Sequence, residues 1–124
     1  CCKPMPGSPD MPSIFTRIIN GEIPARVVRR TDDMIAFHDV NPQAPVHVLV
    51  VPVLEKVAVR DFTGPEGQAL LGRLMQFAAQ VATELGLDRD GYRIVTNTGA
   101  HGGQSVDHLH LHVLGGRHLG WPPG

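Results

Sequence analysis

From His108 to Val113 polar and apolar residues alternate strictly, which is the two-residue period of a β-strand. On a strand, Leu109, Leu111 and Val113 enter a core while His108, His110 and His112 form a row on the opposite side. A helix would turn each residue by about 100° and point His110 away from its two neighbours. Earlier in the chain, Leu70, Leu71, Leu74, Phe77, Ala78, Val81 and Leu85 recur at three- and four-residue intervals, predicting a long core helix that stops at Gly86. The preceding Thr63-Gly64-Pro65-Glu66 has capping-box spacing, with the hydroxyl placed for an exposed amide and the glutamate able to reach back.

The rest of the chain reads as shorter elements. Ser13 stands before Ile14, Phe15, Ile18 and Ile19, a short helix that Asn20-Gly21 ends. Val27-Val28 and Met34-Ile35-Ala36-Phe37 flank Thr31-Asp32-Asp33 as a hairpin. After Asn41-Pro42-Gln43-Ala44-Pro45, the run Val46 to Val51 predicts a buried strand interrupted only by His47. Tyr92 to Thr96 predicts another strand, and Asn97 to Gln104 a glycine-containing loop. Elements in this order give an α+β fold with an antiparallel sheet.

Length and charge narrow this picture. A chain of 124 residues fits one domain. Its formal net charge of −1, with both signs interspersed, argues against a nucleic-acid polymer or an anionic membrane as partner. Cys1 and Cys2 are adjacent at the start, where they neither staple a fold nor supply a spaced metal motif, and the cysteine-free remainder is compatible with a cytoplasmic location. Residues 1–10 lack the apolar core of a signal peptide and read as a flexible leader or cloning remnant. Met11 is then a natural start, and residues 11–124 form the domain.

A row of three imidazoles is costly as mere structure, because Thr or Val suits a half-buried strand face better and adjacent protonated rings repel. A solvent-facing polar edge is the bland reading. Zinc is a second, since histidine is a common ligand. However, His108 and His112 start about 13 Å apart along a strand, so one ion cannot readily take all three. Two of them plus His47 would be needed, and no carboxylate partner is evident. A third reading is covalent catalysis, in which a neutral ring nitrogen attacks phosphorus while a hydrogen bond at the other nitrogen holds the tautomer. His47, otherwise out of place on its apolar strand, could steer such a ring. Asn97, Gly99, Gly102, Gly103, Gln104 and Ser105 beside the row could present amide and hydroxyl donors to phosphate oxygens.

His-Leu-His-Leu-His-Val-Leu resembles the signature of the histidine triad (HIT) family, and wider similarity narrows the match to its Hint branch. The similarity includes Ser13-Ile14-Phe15, Gly21-Glu22-Ile23-Pro24-Ala25, Ala36-Phe37-His38-Asp39, Pro42 to His47, Gly102 to Val106 and the terminal Trp121-Pro122-Pro123-Gly124. The resemblance implies a HIT-like fold, a five-stranded antiparallel sheet with one short and one long helix, assembled as a two-fold homodimer. It also implies purine nucleoside phosphoramidase activity without a metal or other cofactor. By the same resemblance His110 is the nucleophile that becomes nucleotidylated, His108 and His47 orient and tune it, and His112 contacts the phosphate. Asn97, Ser105 and backbone near Gly103 bind the phosphate or leaving group, and Asp39 accepts from the ribose hydroxyls. Ile14, Phe15, Ile18, Ile23, Phe37, His38 and Val40 line the base pocket, and Trp121 packs near the dimer partner's site. Two departures, Asp107 before the triad and His101 in the loop, bear on leaving-group preference and pH profile. The competing expectations are a dinucleoside polyphosphate hydrolase of the related Fhit branch and a nucleotide-binding interaction module with weak catalysis.

Overall fold

The computed structural model describes residues 12–124, so the expected leader lies outside the described residues. The chain runs α1 (Ile14–Ile19), β1 (Val27–Arg30), β2 (Met34–His38), β3 (Val46–Pro52), a 3₁₀ turn (Val59–Asp61), α2 (Gly64–Glu84), β4 (Tyr92–Val95), α3 (Gly99–Gly102) and β5 (Leu111–Gly115). The strands form one five-stranded sheet in the order β1-β2-β3-β5-β4, antiparallel throughout. This is the expected α+β architecture, with the one-turn helix α3 and the 3₁₀ turn added to it. Among the described residues no helix is long and apolar enough to cross a membrane.

Side-chain alternation gives the sheet two different faces. Ala36 of β2, Val48 and Val50 of β3, and Leu111 and Val113 of β5 point to one side. There they meet Leu70, Leu74, Phe77, Ala78 and Val81, the stripe of α2, in the main core. Ile35, Phe37, Leu49 and Val51 point to the other side and pack on Phe15 and Ile19 of α1. With only six residues, α1 is too short to be stable alone and depends on this packing and on its cap. It covers part of its face and leaves the remainder open beside β5.

Three local expectations change. First, α2 begins at Gly64 as expected, but Thr63 makes no side-chain cap bond. Pro65 at the second helical position removes one of the two amides such a hydroxyl can accept, and the Glu66 amide is not bonded to it either. Second, the stretch expected as a loop over Asn97–Gln104 contains α3, closed by Gly103 at φ 81° with its N–H on the Ala100 carbonyl at 3.1 Å. One turn is too short to show apolar periodicity. Third, the final strand ladder starts at Leu111 rather than His108, because β3 pairs with it only from Val50 and β4 only from Val95. The alternation still holds through the earlier residues, since Leu109, whose N–H bonds to the Lys56 carbonyl at 2.7 Å, is buried in the main core.

Candidate active site

The open part of the α1 face carries the histidines. Leu49 of β3 lies opposite His112, and His47 lies opposite Leu114, so His47 and His112 are diagonal neighbours on one face. His47 Nε2 and His112 Nδ1 are 2.9 Å apart. The direction of this bond is fixed from outside the pair. Backbone N–H of Gln43 donates to His47 Nδ1 at 3.0 Å, so the proton of neutral His47 must sit on Nε2. That proton is donated to His112 Nδ1, which leaves the proton of neutral His112 on its own Nε2.

His110 is wired the opposite way. Its Nδ1 lies 2.8 Å from the His108 carbonyl, which can only accept, so Nδ1 carries the proton and Nε2 keeps a lone pair. The same carbonyl logic applies to His108, whose Nε2 donates to the Pro52 carbonyl at 2.8 Å while Nδ1 receives the Ser13 hydroxyl at 2.6 Å. The Thr96 hydroxyl holds the His110 carbonyl at 3.0 Å, and the Phe15 ring stands edge-on to the His110 ring with centroids 4.9 Å apart. Two neighbouring rings, 4.9 Å between centroids, therefore offer complementary atoms: a bare nitrogen on His110 and an N–H on His112.

Electrostatics keep these rings neutral near pH 7. Burial lowers His110 below the ordinary histidine value, partly opposed by the His108 carbonyl and Asp39. Burial, then the neighbouring His110 and His47, lower His112 to about 4, with Asp39 opposing. His108 and His47 are lowered as well, chiefly by burial. A neutral ring is the form that can attack phosphorus.

A cavity of about 380 Å³ opens in front of these two rings. His110 and His112 line it together with Ile14, Phe15, Ile18, Ile23, Phe37, His38, Asp39, Val40 and Ser105. Val40 is 97 % exposed and forms only the rim. Asp39 anchors its turn by accepting Asn41 N–H at 2.8 Å and places its other oxygen 3.4 Å from His47 Nε2. The structure therefore gathers every residue expected for the base and sugar at one cavity, and adds Pro24, Ala25, Leu49 and Val106.

Other expected residues lie elsewhere. His108 is fully buried between Ser13 and Pro52 and does not line the cavity, so the three rings do not converge on one point. His47 contacts His112 rather than His110. Asn97 and Gly103 are not among the lining residues, and the Gly103 N–H is already used in closing α3. Trp121 is 83 % exposed. A larger space of about 510 Å³, lined by α2, residues 54–63 and Asp33, has no histidine in its lining.

The carboxylate missing from the metal reading is Asp39: it, His47 and His112 offer ligand atoms within 4.8 Å of one another. The hydrogen bonding does not suit an ion there. His47 already accepts an amide hydrogen at Nδ1, so ligation through Nε2 would demand an imidazolate or loss of the Gln43 bond.

Sequence reasoning missed the partners that fix the tautomers. Gln43 lies inside the Pro42 to His47 stretch, but its backbone amide carries no signal of its own, and neither does the Pro52 carbonyl. Ser13 is visible as a helix cap, but its bond to His108 spans 95 positions.

The HIT domain family model matches residues 20–119, and the chain belongs to that family. It is 53 % identical over 112 residues to an uncharacterised HIT-like protein of Synechocystis, covering 90 % of this chain and 96 % of that protein. It is 46 % identical over 108 residues to the purine nucleoside phosphoramidase of Escherichia coli K12, covering 87 % and 90 % respectively. The crystal structure of a HIT family hydrolase from Legionella pneumophila superposes with a TM-score of 0.85 at 42 % identity, covering 90 % of this chain and 98 % of that one.

Proposed function

We propose that this protein is a purine nucleoside phosphoramidase, cleaving P–N bonds of AMP and GMP phosphoramidates and adenylylated amines through a nucleotidyl intermediate on His110. The observation that carries this reading is the opposite wiring of two adjacent rings at the cavity, a bare Nε2 on His110 and an Nε2–H on His112. The similarity to the E. coli phosphoramidase supports the substrate class.

The apolar wall from α1 and Phe37 receives the purine, and Asp39 accepts from the ribose hydroxyls, leaving phosphorus before the two rings. His110 Nε2 attacks phosphorus, and the bonding pair of the P–N bond leaves with nitrogen, which takes a proton from solvent while the Nε2–H of neutral His112 hydrogen-bonds to it. His110 Nδ1–H stays on the His108 carbonyl, which stabilises the positive charge on the nucleotidylated ring. Water then attacks phosphorus, gives up a proton to solvent and expels neutral His110 with release of the nucleoside monophosphate. Ser105, which lines the cavity with both rings, contacts the phosphate or the departing group.

The acting unit is a two-fold homodimer in the cytoplasm, with the exposed Trp121 tail reaching the partner's site. Incubation with adenosine 5′-phosphoramidate tests the activity. AMP release that His110→Ala loses is the expected result, and no release above that control rejects the reading.

A further inference from the structure

Behind the triad stands a carboxylate for which the reaction above has no use. Glu55 follows β3, three residues beyond the Pro52 carbonyl that receives His108 Nε2–H. Its Oε1 accepts the Ser13 backbone N–H at 3.0 Å and the Thr16 hydroxyl at 2.5 Å, and lies 3.9 Å from His108 Nδ1. Its Oε2 is buried without a hydrogen-bond partner among the described residues. Burial raises this carboxyl, but hydrogen bonds from Thr16 and Ser13 and the nearby His108 outweigh it, so the group is held below its ordinary value as an anion. A buried carboxylate is costly, and the bonds that Oε1 makes offset part of that cost.

What Oε1 organises is a capping box divided between distant segments. In the usual box an N-cap serine accepts from the amide three residues on, and a glutamate at that third position reaches back to the serine amide. Here Ser13 Oγ accepts the Thr16 N–H at 3.1 Å, but Thr16 is too short to reach back, and Glu55 supplies the return bond from 42 residues away. The Ser13 hydroxyl hydrogen goes to His108 Nδ1. The Ser13 hydroxyl thus caps the helix that walls the cavity and also holds a triad ring, while Glu55 Oε1 holds the Ser13 amide.

We infer that Glu55 is a positioning residue that, through Ser13, registers α1 against the triad and holds His108 so that its carbonyl and Phe15 keep His110 aimed at the cavity. The chain of contacts is continuous: Glu55 to Ser13, Ser13 to His108 Nδ1, His108 carbonyl to His110 Nδ1, and Phe15 against both rings. Removing the carboxylate frees the Ser13 amide, loosens the first turn of α1 and lets the Ser13 hydroxyl turn away from His108. The inference rests on His110 being the nucleophile.

The test pairs kinetics with nitrogen-15 NMR of the histidine rings in ligand-free protein. Glu55→Ala is expected to lower kcat on adenosine 5′-phosphoramidate about tenfold, as a small misalignment of a nucleophile does. It is also expected to shift the His108 Nδ1 signal toward that of an unbonded ring nitrogen. Glu55→Gln, whose amide oxygen can accept both bonds, recovers most of the rate. Ser13→Ala gives the same two changes as Glu55→Ala, and the double variant adds little, which keeps the test decisive if Glu55→Ala does not fold. Unchanged kcat and unchanged His108 signals in either single variant overturn the inference, as does a lower melting temperature as the only effect. Should the wild-type protein release no AMP, the proposed activity fails, whereas the NMR arm still decides the role of Glu55.

Discussion

On one face of the sheet Leu111 and Val113 meet the stripe of α2, and any well-packed apolar set of the same volume would serve there. On the other face His47, His108, His110 and His112 each need a named partner, and that partner is usually a backbone group: the Gln43 amide, the Pro52 carbonyl or the His108 carbonyl. The first face stabilises through area removed from water. The second spends part of that stability on burying polar rings in order to fix which nitrogen bears a proton. Backbone partners are well suited to this, because an amide can only donate and a carbonyl only accept.

Several measurements break or sharpen this contrast. The largest effect is expected for His110→Ala, which removes the attacking nitrogen and should lower kcat/KM on adenosine 5′-phosphoramidate by at least about 10⁴-fold with the fold intact by circular dichroism. His112→Ala leaves the attacking ring but removes the N–H beside it, for a loss of about 10²- to 10³-fold in kcat. On the other face, Leu74→Ala opens a cavity in the main core at a fully buried position. It should cost about 3 kcal/mol in denaturant unfolding with kcat unchanged well below the melting temperature. If Leu74→Ala instead abolishes turnover in folded protein, the two faces are not separable.

The pH dependence should be the mildest signature. The histidines of the site are lowered in the folded protein, with His112 at about 4, so unfolding takes up protons as the pH falls below the ordinary histidine value. Their contribution to stability is therefore complete above about pH 6.5 and is lost progressively as the pH falls toward the folded values. For the same reason the acid limb of kcat/KM should lie below the pH expected of an exposed histidine. Equal stability at pH 7 and pH 5, or an acid limb centred near 6.5, contradicts the neutral wiring.

The sequence made the two faces legible to very different degrees. Alternation through His108–Val113 and the apolar stripe of α2 identified the sheet face and its covering helix, because both are periodic signals that local geometry imposes. The resemblance, not periodicity, singled out Asp39, His38 and Phe37, which taken one by one read as a turn residue and ordinary strand residues. Three things stayed hidden. That His108 is a buried support rather than a third lining ring depends on where α1 docks. The direction of each histidine hydrogen bond depends on backbone groups without side-chain identity. The link from Glu55 to Ser13 depends on two segments meeting across 42 positions, with no pattern in either to announce it.

The most direct test of the central claim is to quench a single turnover of adenosine 5′-phosphoramidate at alkaline pH and map the protein by mass spectrometry. The account predicts a transient adenylyl group on the peptide carrying His110, gone in His110→Ala and lost as AMP appears. AMP formed at full rate with no nucleotide on the protein at any time point, or with the group on another residue, would contradict it.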